Sequence, residues 1–193
     1  MTLPLHLLLD HVETPIGRFA IVADEDGWLR ASGFTDQHAR MERQLQIYSE
    51  KPGFSLSLAS NPSGLTAAVE RYFSGELAAI DGLPIATDGT PFQSAVWHAL
   101  RKIPCGETWS YAELARHIGN PTAVRAVGLA NGSNPIGLIV PCHRVIGSDG
   151  SLTGYGGGVE RKRWLLAHER SGIQLSLGVS PELAPFSLTR MRP

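Results

Sequence analysis

Two capping boxes do most to limit what this chain can fold into. Thr90-Pro91-Phe92-Gln93 sets an N-cap threonine, a proline at the first helical position and a glutamine that can reach back to the cap. Ser110-Tyr111-Ala112-Glu113 repeats the device with a glutamate. The first box opens a helix carrying Val96, Leu100 and Ile103, closed by Pro104-Cys105-Gly106. The second opens a short helix through Ile118, with Leu114, Ala115 and Ile118 apolar. Gly119-Asn120-Pro121 forces a tight turn, and Thr122 to Asn131 makes another helix. Helix, short glycine-containing turn, helix is the helix-turn-helix pattern. Its second helix is small-sided (Ala123, Ala126, Gly128, Ala130) and interrupted by Arg125. A major-groove reader carries Asn, Gln, Arg or Lys toward base edges. A smooth helix instead permits close approach to a groove floor, docking by shape and phosphate charge without sequence preference.

The N-terminal half reads differently. His6–Glu13, Arg18–Ala23 and Trp28–Phe34 are expected strands, separated by turns at Thr14-Pro15-Ile16-Gly17 and Asp24-Glu25-Asp26-Gly27. Gln37–Tyr48 has helical spacing, Phe54–Ala59 reads as another strand, and Pro62–Ser74 as a second helix with Leu65, Val69, Tyr72 and Phe73 on one stripe. No reactive constellation stands out there, so residues 1–75 read as an α/β (α+β) scaffold with a short mixed or antiparallel sheet. The Gly/Pro/Asp-rich stretch 76–89 reads as a connector, 90–171 as a mainly α-helical domain of winged helix-turn-helix type, and 172–193 as a tail.

Charge follows the same division. Residues 1–90 hold 6 Lys/Arg against 12 Asp/Glu, residues 91–193 hold 11 against 6. The basic half is the one suited to face phosphates. Two cysteines, Cys105 and Cys142, form no CxxC pair and no disulfide framework, which points to a reducing, cytoplasmic setting. The apolar run Leu3–Leu9 is too short for a membrane span and lacks a basic lead. A monomer is expected.

The chemistry lies in Ile139-Val140-Pro141-Cys142-His143-Arg144-Val145. An apolar strand is expected to run up to Pro141, which removes a ladder donor and turns the chain out of sheet geometry. Cys142 and His143 can then converge, directly or through a water, as an activated thiol needs. A free cysteine is usually an inert small hydrophobe. The reactive and charged neighbours at a strand end set Cys142 apart from that default. Residues like these suit a thiolate nucleophile, as in a Cys-His hydrolase of acyl or amide substrates, and the helix pair also suits a non-catalytic DNA binder or helix-turn-helix regulator.

Pro141-Cys142-His143-Arg144-Val145 resembles the active-site signature of the O6-alkylguanine-DNA alkyltransferases, also called methylated-DNA–protein-cysteine methyltransferases. The likeness runs from about Thr90 to Glu169 and continues more loosely toward the N-terminus, where it is similar to the bacterial Ogt type. It implies DNA repair by stoichiometric, self-inactivating transfer of an alkyl group from O6-alkylguanine in double-stranded DNA to Cys142, with O4-alkylthymine a further candidate lesion. It implies that the base is flipped out of the duplex and that Arg125 enters the vacated stack. Tyr111 would crowd the 3′ phosphate and donate to the departing base, with Asn120 and Ser148 as further DNA contacts. Asn134 would organise the turn behind the site, and Glu169 would orient His143 in a relay through water to Cys142. The pocket would use carbonyls of Cys142 and Val145, the ring of Tyr155 and the backbone of Gly156. Some relatives carry serine at the Gly156 position, and glycine there should leave more room for a larger alkyl group. Some relatives bind a structural zinc in the N-terminal half, but that half has no cysteine here, so no metal and no cofactor is expected. Arg144 is expected to hold the loop by an ion pair, and Cys105 to be idle.

Overall fold

The computed structural model describes residues 5–47 and 53–176. The expected two-part architecture is the one found. Strands β1 (Leu5–Val12), β2 (Phe19–Asp24), β3 (Leu29–Phe34) and β4 (Phe54–Leu58) form one mixed sheet of order β3-β2-β1-β4. The first three pair antiparallel, and β4 joins β1 in parallel after helix α1 (His38–Ile47) has crossed over. Every residue of β2 is buried, and its alternation feeds two cores. Ala20 and Val22 face Met41 and Leu45 of α1, whereas Phe19, Ile21 and Ala23 join Leu65, Val69 and Tyr72 of helix α2 (Leu65–Phe73) in the larger core.

Helix α2 is shorter than its expected span. Pro62–Gly64 forms a 3-10 turn in which Ser63 (φ 50°) and Gly64 (φ 77°) are left-handed, so the regular helix starts only at Leu65. The second half holds α3 (Pro91–Leu100), β5 (Trp109–Ser110), α4 (Tyr111–His117), α5 (Val124–Gly132), β6 (Val145–Ile146) and α6 (Val159–Ser176). Both capping boxes close reciprocally, Thr90 with Gln93 and Ser110 with Glu113. Ile103 lies beyond the end of α3 but is buried in the turn that follows. The helix-turn-helix pair is α4 and α5, flanked by the short parallel pair β5–β6. Helix α6 continues to Ser176, and the rest of the expected tail, 177–193, lies outside the described residues.

The halves are joined along the free edge of β3. Leu29 bridges Ile85 of the connector, and Ser32 bridges Ile136. Ser32 also donates its hydroxyl to the Gly137 carbonyl at 2.8 Å. This covers the unpaired groups of an edge strand and pins the segment before Cys142 to the N-terminal sheet. Among the described residues no helix is long and apolar enough to cross a membrane.

Candidate active site

The segment before Cys142 is not the expected strand. Residues 137–140 are turns, with Leu138 left-handed at φ 73° and the Val140 amide bonded to the Ile136 carbonyl at 3.0 Å. The cause is Asn134, only 2% exposed. Its Oδ1 accepts from the Ile136 amide at 3.0 Å, and its Nδ2 donates to the carbonyls of Ile136 (3.3 Å) and Val140 (2.8 Å). A side chain that satisfies both backbone groups locally replaces a ladder partner. Pro141 then caps a 3-10 turn, Cys142–Arg144, closed by the Arg144 amide on the Pro141 carbonyl at 3.0 Å.

This turn sends neighbouring side chains to different places. Cys142 lines a cavity of about 220 Å³ between the halves, together with Tyr111, Asn131, Asn134, Tyr155 and Gly156. His143 is fully buried, with Nε2 2.9 Å from Glu169 Oε1 and Nδ1 without a hydrogen-bond partner among the described residues. Arg144 forks onto the same carboxylate, Nη2 to Oε1 at 2.8 Å and Nε to Oε2 at 3.0 Å, and donates Nη1 to the Ile103 carbonyl. The expected ion pair of Arg144 is therefore made with Glu169.

Burial pushes the Glu169 carboxyl up, but His143 and Arg144 outweigh it and hold the group well below the usual carboxylate range. Burial pushes His143 down while Glu169 pulls it up, and the net shift is downward. The Cys142 thiol is pushed up by burial; the Asn134 amide and the charges of Arg40 and Lys162 oppose that rise. The arrangement is a buried thiol, an imidazole and a carboxylate, with nearby cations that favour the thiolate.

The other residues expected at the site divide by place. Tyr111 heads α4 and lines the cavity, its hydroxyl pushed up by burial. The Tyr155 ring stands edge-on to His143 at 6.3 Å. A Cβ on Gly157 would lie 2.7 Å from that ring, so the glycine-rich loop serves close packing. Arg125 is exposed in the first turn of α5, with no ion-pair partner among the described residues, and Asn120 and Ser148 are exposed in turns. Cys105 sits half-buried on the far side of the turn, its thiol pushed up to about 12 by burial and by Glu169.

Residues 91–171 match the family described as 6-O-methylguanine DNA methyltransferase, DNA binding domain, and residues 8–87 its ribonuclease-like domain. The chain belongs to the 6-O-methylguanine DNA methyltransferase family. Methylated-DNA–protein-cysteine methyltransferases of Shigella flexneri and Salmonella typhimurium are 51% and 52% identical to it over 165 residues, covering 86% of this chain and 96% of each relative. The structure of Mycobacterium tuberculosis O6-methylguanine methyltransferase superposes with a TM-score of 0.72 at 39% identity, over 89% of this chain and 99% of that one. A crystal structure of the M. tuberculosis OGT in complex with DNA gives 0.70 at 40%, over 87% and 94%.

Within this family frame, three contributions escape a reading of the sequence. The N-terminal half is more than a scaffold, since α1 lends Arg40, Met41 and Gln44 to the cavity wall and the turn before it lends Gln37. Arg40 Nη2 reaches the Gly132 carbonyl at 2.6 Å, and Gln44 Nε2 the Ser133 carbonyl at 2.8 Å. Polar residues on the same stripe as Met41 were the available signal. The room expected beside Gly156 is filled, because a Cβ there would lie 2.9 Å from Arg40 Cζ. Tyr72 of α2 donates its hydroxyl to Glu169 Oε1 at 2.9 Å.

Lys162 is the third. It is fully buried, donating to the carbonyls of Val145 (2.5 Å) and Thr153 (2.7 Å), and burial brings it down to about 8, the charge of Cys142 working the other way. It shares one helical face with Leu165, Leu166 and Glu169, which its place in the basic triplet Arg161-Lys162-Arg163 hides. A lysine depressed on folding makes the unfolded chain bind more protons between about pH 8 and the ordinary lysine value of about 10.4. Wild-type stability should therefore rise relative to Lys162→Met as pH climbs through that window, read as the difference between urea midpoints. A flat difference from pH 7 to 10.5 would refute the buried charge.

Proposed function

We propose that Cys142 takes up the alkyl group in a single-turnover repair of O6-alkylguanine in DNA, and that the residues gathered around it carry the reaction. DNA repair by alkyl transfer to a cysteine is the activity of the family to which the chain belongs. The observation that supports Cys142 is its place on the wall of the cavity between the halves, one residue from a buried His143–Glu169 pair. His143 takes the thiol proton at Nδ1 through a water, and the imidazolium so formed is stabilised by Glu169. The thiolate attacks the alkyl carbon, the S–C bond forms as the C–O6 bond breaks, and the electron pair leaves with guanine. Tyr111 donates a hydrogen bond to the departing base. Attack is at an sp³ carbon, so no oxyanion forms, and the thioether product offers water no carbonyl to hydrolyse.

Duplex DNA is bound by α4 and α5 through the minor groove without sequence preference, the small residues of α5 approaching the groove floor. Leu129 and Val124, exposed at 71% and 37%, lie on this helix as apolar contacts. Arg125 fills the stack left by the flipped base, and Asn120 and Ser148 contact the strand on either side. Asn134 fixes the turn; Tyr155 and the backbones of Val145 and Gly156 hold the base. The division proposed is an N-terminal half (1–75) that supports the site from α1 and α2, a connector (76–89) and a DNA-facing domain from 90 through the end of α6 at Ser176. The protein acts in the cytoplasm as a monomer without metal or cofactor.

Intact-protein mass spectrometry after mixing with excess O6-methylguanine oligonucleotide tests this. One added methyl group on the wild type, saturating at one per molecule and absent from Cys142→Ser, is the expected result. Methylation that survives in Cys142→Ser, or a wild type that gains nothing, would refute the assignment.

A further inference from the structure

Glu169 is shared by both halves of the protein, and the sharing falls on one atom. Its Oε1 is met by His143 Nε2 at 2.9 Å, Arg144 Nη2 at 2.8 Å and the Tyr72 hydroxyl at 2.9 Å. Its Oε2 takes Arg144 Nε at 3.0 Å and the Gly106 amide at 3.1 Å. Tyr72, His143 and Glu169 are each 0% exposed, so no solvent screens these contacts. Tyr72 comes from α2, outside the half that carries Cys142, and its backbone carbonyl is held by His168 Nε2 at 2.8 Å. We infer that Tyr72 is a positioning residue for alkyl transfer, its hydroxyl competing with His143 for the charge on Glu169 Oε1 and thereby setting how readily His143 accepts the Cys142 proton.

The physical reasoning starts from the reactive state, a Cys142 thiolate beside a His143 imidazolium. The imidazolium is stabilised in proportion to the negative charge on the oxygen that its Nε2–H faces. A third donor on that oxygen withdraws part of the charge. The hydroxyl does so as a neutral group at all working pH values, because burial and the Glu169 carboxylate push its ionisation far above the ordinary tyrosine range. The other groups around the pair stay in place when only that hydroxyl changes. They are Arg144 and Cys142 from the nucleophile turn, Cys105 from the turn after α3, Lys162 and His168 from α6, and Tyr155 from the glycine-rich loop. Removing the hydroxyl should therefore return charge to Glu169 Oε1, make His143 the stronger base and raise the share of the thiolate–imidazolium pair over the neutral pair. An N-terminal scaffold would in this way tune the basicity of a site in the other half.

The inference rests on Cys142 being the alkyl acceptor, and its test keeps the two apart. Alkylation of Cys142 by iodoacetamide, followed by peptide mass spectrometry, reports the thiolate without DNA. Methyl transfer from the oligonucleotide reports the repair reaction. In Tyr72→Phe the plateau rate of both pH profiles is expected to rise about threefold, and the acid limb, where His143 takes up a proton, to move up by about half a unit. Site-specific 3-fluorotyrosine at position 72 keeps the ring and fold and makes the hydroxyl a stronger donor, so its limb should move down and its plateau rate fall. Profiles that superpose on the wild type, or move the same way in both variants, overturn the inference. Should Tyr72→Phe fail to fold, the fluorotyrosine protein decides alone: a downward shift supports it and any other result ends it. A wild type that takes no methyl group refutes the repair reading, while the iodoacetamide profiles still judge Tyr72.

Discussion

Replacing Glu169 by glutamine is expected to slow methyl transfer by roughly 100- to 10,000-fold, the range typical of losing a positioned acid–base group. The carboxylate accepts from Tyr72, His143, Arg144 and Gly106 at once. A glutamine has one oxygen for these donors and turns an NH₂ group toward the rest. His143 then loses the charge that stabilises its protonated form, and the buried Arg144 loses its only carboxylate partner among the described residues. Breaking one side of a buried pair costs about 3–5 kcal/mol, so the variant should also melt earlier. The pH dependence separates this loss from a general defect. Because Glu169 is held well below the usual carboxylate range, its stabilisation is fully present above the unfolded value of about 4.3 and fades as pH falls toward the folded one. The stability gap between wild type and variant should accordingly narrow in acid. A folded Glu169→Gln protein that transfers methyl within threefold of the wild type would remove Glu169 from the mechanism.

Arg125→Ala should slow transfer from a duplex lesion by about 30- to 100-fold, the equivalent of roughly 2–3 kcal/mol of base extrusion left uncompensated. Arg125 is exposed at the start of α5 and has no ion-pair partner among the described residues, so thermal stability should hardly change. Two comparisons make the result specific. Iodoacetamide should alkylate Cys142 in the variant at the wild-type rate, because the thiol lies in a cavity that Arg125 does not line. The same lesion in a single strand, which needs no extrusion, should lose far less than the duplex. Equal losses on both substrates would make Arg125 a phosphate contact and leave the flipped base to some other residue.

Local chemistry made the helical half legible. Both capping boxes close where Thr90/Gln93 and Ser110/Glu113 placed them, because a cap is decided by residues three apart and needs nothing distant. Strands β1 to β4 were readable from short apolar runs bounded by turn residues for the same reason. The run Ile136–Val140 misled, since β-branched residues next to a proline look like a strand. Asn134 supplies the bonds a neighbouring strand would give, and no periodicity reports that. Space was misjudged at Gly156 because the volume beside a glycine depends on what another element brings there, and α1 brings Arg40.

By itself, the sequence determined the element types, the division of charge and the run of residues in which Cys142 and His143 stand together. It did so because caps, turn residues and hydrophobic periods are short-range signals. Tertiary structure alone decided which groups share the carboxylate of Glu169. Tyr72 reaches it across 97 positions of chain, and His143 and Arg144 across 26 and 25. Lys162 reads as one of three surface cations until packing buries it. The state of a buried proton depends on distances and exclusion of water, quantities that exist only once the two halves have closed over the site.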